Sequence, residues 1–161
     1  MKRKIRWSAL LLLLCVILAS CGAQEPPAGA AETGTVALTV TCQDAVQQGG
    51  LSQDILETLP TDGVLLSERA YPISEGMTAL AVLQEALRAQ NISIEIKDGY
   101  VNGIHSLRAG DCGDTSGWLF RVNGVLPSVG AGEYVLQPGD TVEWLYICDM
   151  NAFFEENGIT F

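Results

Sequence analysis

Histidine is nearly missing from this chain: His105 is the only one in 161 residues. Basic residues are scarce too, and four of the nine Lys and Arg (Lys2, Arg3, Lys4 and Arg6) sit at the very start. Arg69, Arg88, Lys97, Arg108 and Arg121 are left against nineteen acidic residues, a net charge near −14 beyond residue 20. A surface of that sign repels phosphate backbones and anionic headgroups, which excludes nucleic acid as a partner. The sequence also lacks a nucleophile elbow, a Ser-x-x-Lys pair, zinc-type Cys/His spacing and a phosphate loop. His105 and Cys112 could act as base and nucleophile only with an orienting third group, and none is evident. Asp111 and Asp114 in "GDCGD" could approach one another around a glycine turn, but two carboxylates there read as solvated rather than calcium-binding. No catalytic residue, metal ligand or cofactor is expected, and the chain reads as a non-enzyme.

Long hydrophobic runs are absent as well. The longest, Ala9 to Ala19, has eleven residues, too few to span a bilayer but suited to the core of a signal peptide behind a basic start. It ends in Leu18-Ala19-Ser20-Cys21, which resembles a bacterial lipobox and implies cleavage after Ser20 and lipid transfer to the Cys21 sulfur. An ordinary secretory signal or an uncleaved anchor is the plainer alternative. Two or more acyl chains hold a protein stably on a membrane, whereas one binds marginally. Residues 1–20 are therefore expected to be a lipoprotein signal peptide. The mature protein is expected to be extracytoplasmic, anchored to the bacterial cell membrane through Cys21. Residues 21–34 read as the lipidated cysteine and a Gly, Ala and Pro-rich flexible linker. Residues 35–150 form one domain, and 151–161, "NAFFEENGITF", a tail that Phe153 and Phe154 could dock as a short helical turn.

Within the domain, "TVALTVTC" alternates cleanly, with Val36, Leu38, Val40 and Cys42 on one face of a half-buried strand. "GVLLSERAYPI" reads as its neighbour. Thr78 caps a helix, "ALAVLQEALRAQ", with Leu80, Leu83 and Leu87 on one stripe beside Ala79, Val82 and Ala86. Asn91 ends it and "ISIEI" opens the next strand. Near the end, Trp118, Phe120 and Val122 share a strand face, Asn123-Gly124 favours a type I′ hairpin turn, and a return arm ends at Pro127. The last strand, "TVEWLYIC", places Val142, Trp144, Tyr146 and Cys148 on one face. This order predicts an α+β domain, a β-grasp-like mixed sheet with one helix packed across it and the first and last strands parallel neighbours.

Three cysteines remain beyond Cys15 and Cys21. Cys42 follows Val36 by six residues and Cys148 follows Val142 by six, each on its strand's apolar face. Parallel neighbours would bring the two sulfurs level, within reach of a disulfide. Cys42–Cys148 is thus the expected pair, with Cys112 free. Cys112–Cys148 and three unpaired thiols remain open.

The stretch "SGWLFRVNGVLPSVGAGEYVLQPGDTVEWLYIC" resembles the transcobalamin-like C-terminal domain found in many bacterial lipoproteins. The matching positions begin with Ser116, Gly117, Trp118, Phe120 and Val122, and include the turn at Asn123 and Gly124. They continue through Gly130, Tyr134, Gly139, Asp140, Glu143 and Trp144. Members of that family often carry a cysteine where this chain has Ala131. The animal members, transcobalamin and intrinsic factor, imply a corrinoid (cobalamin) ligand held between this small domain and a helical barrel that this chain has no room for. A second binding subunit or looser binding is therefore implied, with transfer to a membrane transporter. Trp118, Phe120, Asn123, Pro127, Tyr134 and Trp144 are the expected ligand-binding residues: aromatic faces would cover a flat macrocycle and Asn123 would orient it. The two tryptophans would equally suit a core beneath the helix. A cell-surface module for protein or glycan partners, without a small-molecule ligand, is the alternative function.

Overall fold

A computed structural model describes residues 32–159; the proposed leader, Cys21 and most of the linker lie outside the described residues. The first half comprises β1 (Glu32–Thr41), α1 (Gln43–Gln48), α2 (Gln53–Leu56), β2 (Val64–Ser74) and α3 (Ala79–Ala89). The second comprises β3 (Ile94–Lys97), β4 (Tyr100–Ile104), β5 (Leu107–Arg108), β6 (Gly117–Val122), β7 (Thr141–Ile147) and α4 (Met150–Glu156). Four strands form a mixed sheet in the order β2-β1-β7-β6, in which β1 and β7 are parallel and the other two pairings antiparallel. The fold is α+β, with a second, three-stranded sheet in the order β3-β4-β5.

The alternating pattern of β1 does what its period requires. Val36, Leu38 and Val40 are at most 1% exposed, and Val142, Trp144 and Tyr146 of β7 join them in the core. Strand β1 begins at Glu32, inside the stretch read as linker. Gly34 makes this possible: a Cβ there would lie 2.6 Å from that of Pro138, so the strand runs flush against the Pro138 turn. The Gly139 N–H then donates to the Thr35 carbonyl at 2.8 Å.

Helix α3 buries Ala79, Val82, Leu83, Ala86 and Leu87, the i, i+3, i+4, i+7, i+8 stripe of an amphipathic helix. The Thr78 hydroxyl accepts from the Ala81 N–H, and the carbonyls of Tyr134 and Ala131 accept from Ala79 and Leu80. Donors that a helix start leaves unpaired are thereby satisfied by a distant loop. At the other end Asn91 takes a left-handed φ of 57°, and Ile92 and Asn91 donate to Leu87 and Arg88, a Schellman closure.

The small sheet is fastened to the large one by polar contacts. The Trp118 indole N–H donates to the Leu107 carbonyl at 3.0 Å. The Tyr146 hydroxyl donates to the Arg108 carbonyl at 2.6 Å and lies 2.8 Å from the Ser116 hydroxyl.

The cysteine pairing differs from the expected one. Cys148 is bonded to Cys112, with Cα atoms 5.2 Å apart, and Cys42 is free and buried. The cause is register. Leu38, not Val36, lies level with Val142, and Thr41 lies level with Leu145. Cys42 therefore stands two residues short of Cys148, about 7 Å along the strand. Closing a loop of separation 36 stabilises the fold by about 4 kcal/mol in the chain-entropy model. Burial pushes the Cys42 thiol up to about 11, and it donates to the Gly63 carbonyl at 3.4 Å.

Candidate functional site

Cross-strand pairing sets the site. Trp118 faces Tyr146, Phe120 faces Trp144 and Val122 faces Val142 on the core side of β6 and β7. The turn after β6 is the predicted one, with φ of 53° at Asn123 and 76° at Gly124. The return arm, however, pairs only at Val125, which exchanges backbone hydrogen bonds of 2.9 and 3.0 Å with Val122. Pro127 has no N–H to continue the ladder, so the chain peels away and residues 126–131 form a wall instead of a strand.

Between that wall and β6 lies a groove of about 680 Å³, within the range of small-molecule pockets. Trp118, Phe120 and Trp144 line it from the sheet, and Leu126, Pro127 and Val129 from the loop. Tyr100, beside the Asp98-Gly99 turn, flanks it, and Phe154 and Ile159 complete it from the C-terminal segment. None of its lining residues is charged. Tyr100 is 74% exposed and Val129 43%, so apolar surface stands open to water at its rim. A hollow of comparable size beside α3 has a mixed lining, in which Gln84, Glu85, Arg88 and Asn91 stand with Ala81, Ile92 and Ile94.

The two tryptophans differ in their polar ends. The N–H of Trp118 is spent on Leu107. Trp144 is 2% exposed and stacks on Phe120 at 5.3 Å and 26°, yet its buried indole N–H has no acceptor among the described residues. Both indoles serve the core as well as the groove.

Of the residues expected to bind, the structure brings Trp118, Phe120, Pro127 and Trp144 together in the groove and leaves Asn123 and Tyr134 outside its lining. Asn123 is occupied in the turn: its amide donates to Asp140 at 2.8 Å and its carbonyl oxygen accepts from the Thr141 N–H at 2.9 Å. Tyr134 meets Phe120 edge-on at 6.3 Å, and its backbone carbonyl holds the start of α3. Sequence reasoning missed Tyr100, Leu126, Val129 and Ile159 in the lining. The one available signal was an aromatic directly after Asp98-Gly99, a turn that fixes Tyr100 at a sheet end.

The tail docks through α4. Asp149 caps that helix by accepting from Asn151 and Ala152, directly after the Cys148 disulfide. Phe153 and Phe154 are half-buried and meet at 5.9 Å in a T-shaped pair. No helix among the described residues is long and apolar enough to cross a membrane.

Charge lies elsewhere. The Arg121 guanidinium pairs with both Glu143 oxygens at 2.7 and 3.0 Å, which raises its pKa. Arg108 and Asn102 hold Glu95 below the usual carboxylate range. Among the described residues no three His, Cys, Asp or Glu side chains converge as a metal site. Asp111 accepts from the Arg108 N–H at 2.7 Å, exposed His105 contacts Ser106 at 3.1 Å, and the Cys112 thiol is consumed in the disulfide.

The chain is similar to haptocorrin, solved in complex with Cbi, at 16% identity and a TM-score of 0.49 over 76% of its own length, and spans 27% of that protein. It is also similar to a protein of Ruminococcus gnavus ATCC 29149, provisionally described as metal binding, at 14% identity and a TM-score of 0.41. That alignment covers 71% of this chain and 96% of the other. No curated protein matches the chain. Residues 76–147, from the turn before α3 to the end of β7, match the family model described as a domain of unknown function, DUF4430.

Proposed function

We propose that this protein is a binding module whose ligand enters the groove beside β6 and presents an uncharged, flat apolar face. The supporting observation is the groove's lining: aromatic and aliphatic side chains with no charge, and a rim that leaves Tyr100 74% exposed. Stacking on Phe120 and Tyr100 removes apolar area from water. The specific ligand proposed is a corrinoid. The transcobalamin-like residues from Ser116 to Trp144 motivate that choice, and the open side of the groove leaves room for a second subunit to close it. Lipidation at Cys21 would hold the domain outside the cytoplasmic membrane and next to a transporter that receives the ligand. With no catalytic constellation assigned to the groove, capture rather than conversion is the activity proposed.

Titration of residues 22–161 with cobinamide and cyanocobalamin, by calorimetry and corrinoid absorbance, tests this reading. Saturable one-to-one binding is expected, weakened about tenfold by Tyr100→Ala, an exposed change that spares the core. Binding of the neutral dye Nile red through Tyr100, without corrinoid binding, would remove the corrinoid and keep the groove. Binding of neither would overturn the reading.

A further inference from the structure

The outer edge of β6 is hydrogen-bonded at its two ends and has no ladder partner between them among the described residues, with β4 packed nearby. Antiparallel strands turn alternate residues toward each neighbour. The Asn123 N–H donates to Thr141 of the β7 side, while Val122 exchanges both its bonds with Val125 on the opposite side. Even-numbered residues of β6 therefore aim their backbone groups away from β7. The Ser116 carbonyl, of the same parity, accepts from the Gly110 N–H at 3.1 Å. The edge is thus closed at Ser116 and at Val122. Between them, Trp118 and Phe120 pair with no strand on that side among the described residues, and the groove lies there.

The sheet's other edge provides the contrast. Strand β2 presents exposed Glu68, Arg69 and Pro72 and pairs with β1 through irregular register, features that discourage an added strand. The open part of β6 has neither proline nor charge, since its only cation, Arg121, has odd parity and is held by Glu143.

We infer that β6 accepts an extended peptide by strand addition, its backbone pairing with Trp118 and Phe120 and alternate apolar side chains entering the groove. Five cations face nineteen acidic residues beyond residue 20, so the fitting peptide has an apolar β-branched centre and Lys or Arg flanks. The inference shares the groove with the function proposed above but does not require a flat small-molecule ligand.

The probe is acetylated and amidated Lys-Val-Thr-Val-Thr-Lys, titrated into residues 22–161 with amide exchange read by NMR. Added peptide should slow exchange at Trp118 and Phe120 at least tenfold. Methylating the nitrogens on one side of the peptide should weaken binding at least tenfold, and methylating the other side should not. A Glu-flanked analogue should bind at least threefold more weakly at low salt. Equal effects of the two methylation patterns, no protection of the two amides, or no binding would each overturn strand addition. Equal affinity of the Glu-flanked peptide would overturn the cationic partner. Slow exchange in the free protein that disappears when the chain ends at Asn157 would make the chain's own terminus the occupant instead. Corrinoid binding without peptide binding loses this inference alone, and the reverse result loses only the small-molecule reading.

Discussion

Two aromatic pairs sit side by side on the same face of β6 and β7, and their surroundings divide them. Trp118 and Tyr146 meet at 5.3 Å in a T-shaped pair, and both polar ends are committed, to Leu107, Arg108 and Ser116. Phe120 and Trp144, two residues along each strand, are stacked with no polar anchor. The first pair fastens the three-stranded sheet while Trp118 also lines the groove; the second contributes both its rings to the groove and leaves one donor unspent. Identical strand geometry thus yields a structural clamp and a candidate contact surface, and the difference lies in whether a backbone carbonyl stands opposite the ring's polar edge.

Substitutions should separate the pairs. Trp118→Ala removes a large core ring and strands the Leu107 carbonyl, so a loss of about 3–5 kcal/mol is expected in urea unfolding. A loss below about 1 kcal/mol would remove the clamp role. Tyr146→Phe keeps the ring and deletes its hydroxyl, at an expected loss of about 1–3 kcal/mol. Amide exchange should then quicken in β4 and β5 while β1 stays protected.

The same hydroxyl has a pH signature. Burial raises the pKa of Tyr146 above 10.0 and that of Cys42 from 9.0 to about 11. The folded state therefore keeps these protons longer than the unfolded chain. Their contribution is fully present below pH 9 and is lost as pH rises, for Cys42 toward 11 and for Tyr146 above 10. Stability measured from pH 8 to 11 should fall, and Tyr146→Phe should flatten the fall above pH 10. Trp144→Phe should show the smallest stability effect, about 1 kcal/mol, because lost ring contacts are offset by removing an unpaired buried donor. A loss above about 3 kcal/mol would place Trp144 with Trp118.

The faces of β1 and β7, the stripe of α3 and the Asn123-Gly124 turn were legible because each is a local pattern with a fixed period. The β1–β7 register was not. A slip of two residues keeps every side chain on its face, so alternation cannot detect it, and the Cys42–Cys148 expectation failed on that blindness. The groove was half legible. Trp118, Phe120 and Trp144 announced themselves on strands, but Tyr100, Val129 and Ile159 come from turns and a terminus, where no periodicity marks the inward side. Asn123 misled because a turn that needs positive φ also consumed its side chain.

The loop that forms one wall of the groove runs directly into the segment whose Ala131 and Tyr134 carbonyls close the first turn of α3. One end of the wall is thereby tied to the start of the helix. A guest arriving at the groove meets a wall held at both ends, at Val125 and at Ala131, which lowers the ordering of the loop to be charged against association. The same coupling makes the helix a sensor of the groove. Displacing Ala131 outward breaks its bond to the first turn of α3, and occupancy should therefore be felt as added protection at the Leu80 amide.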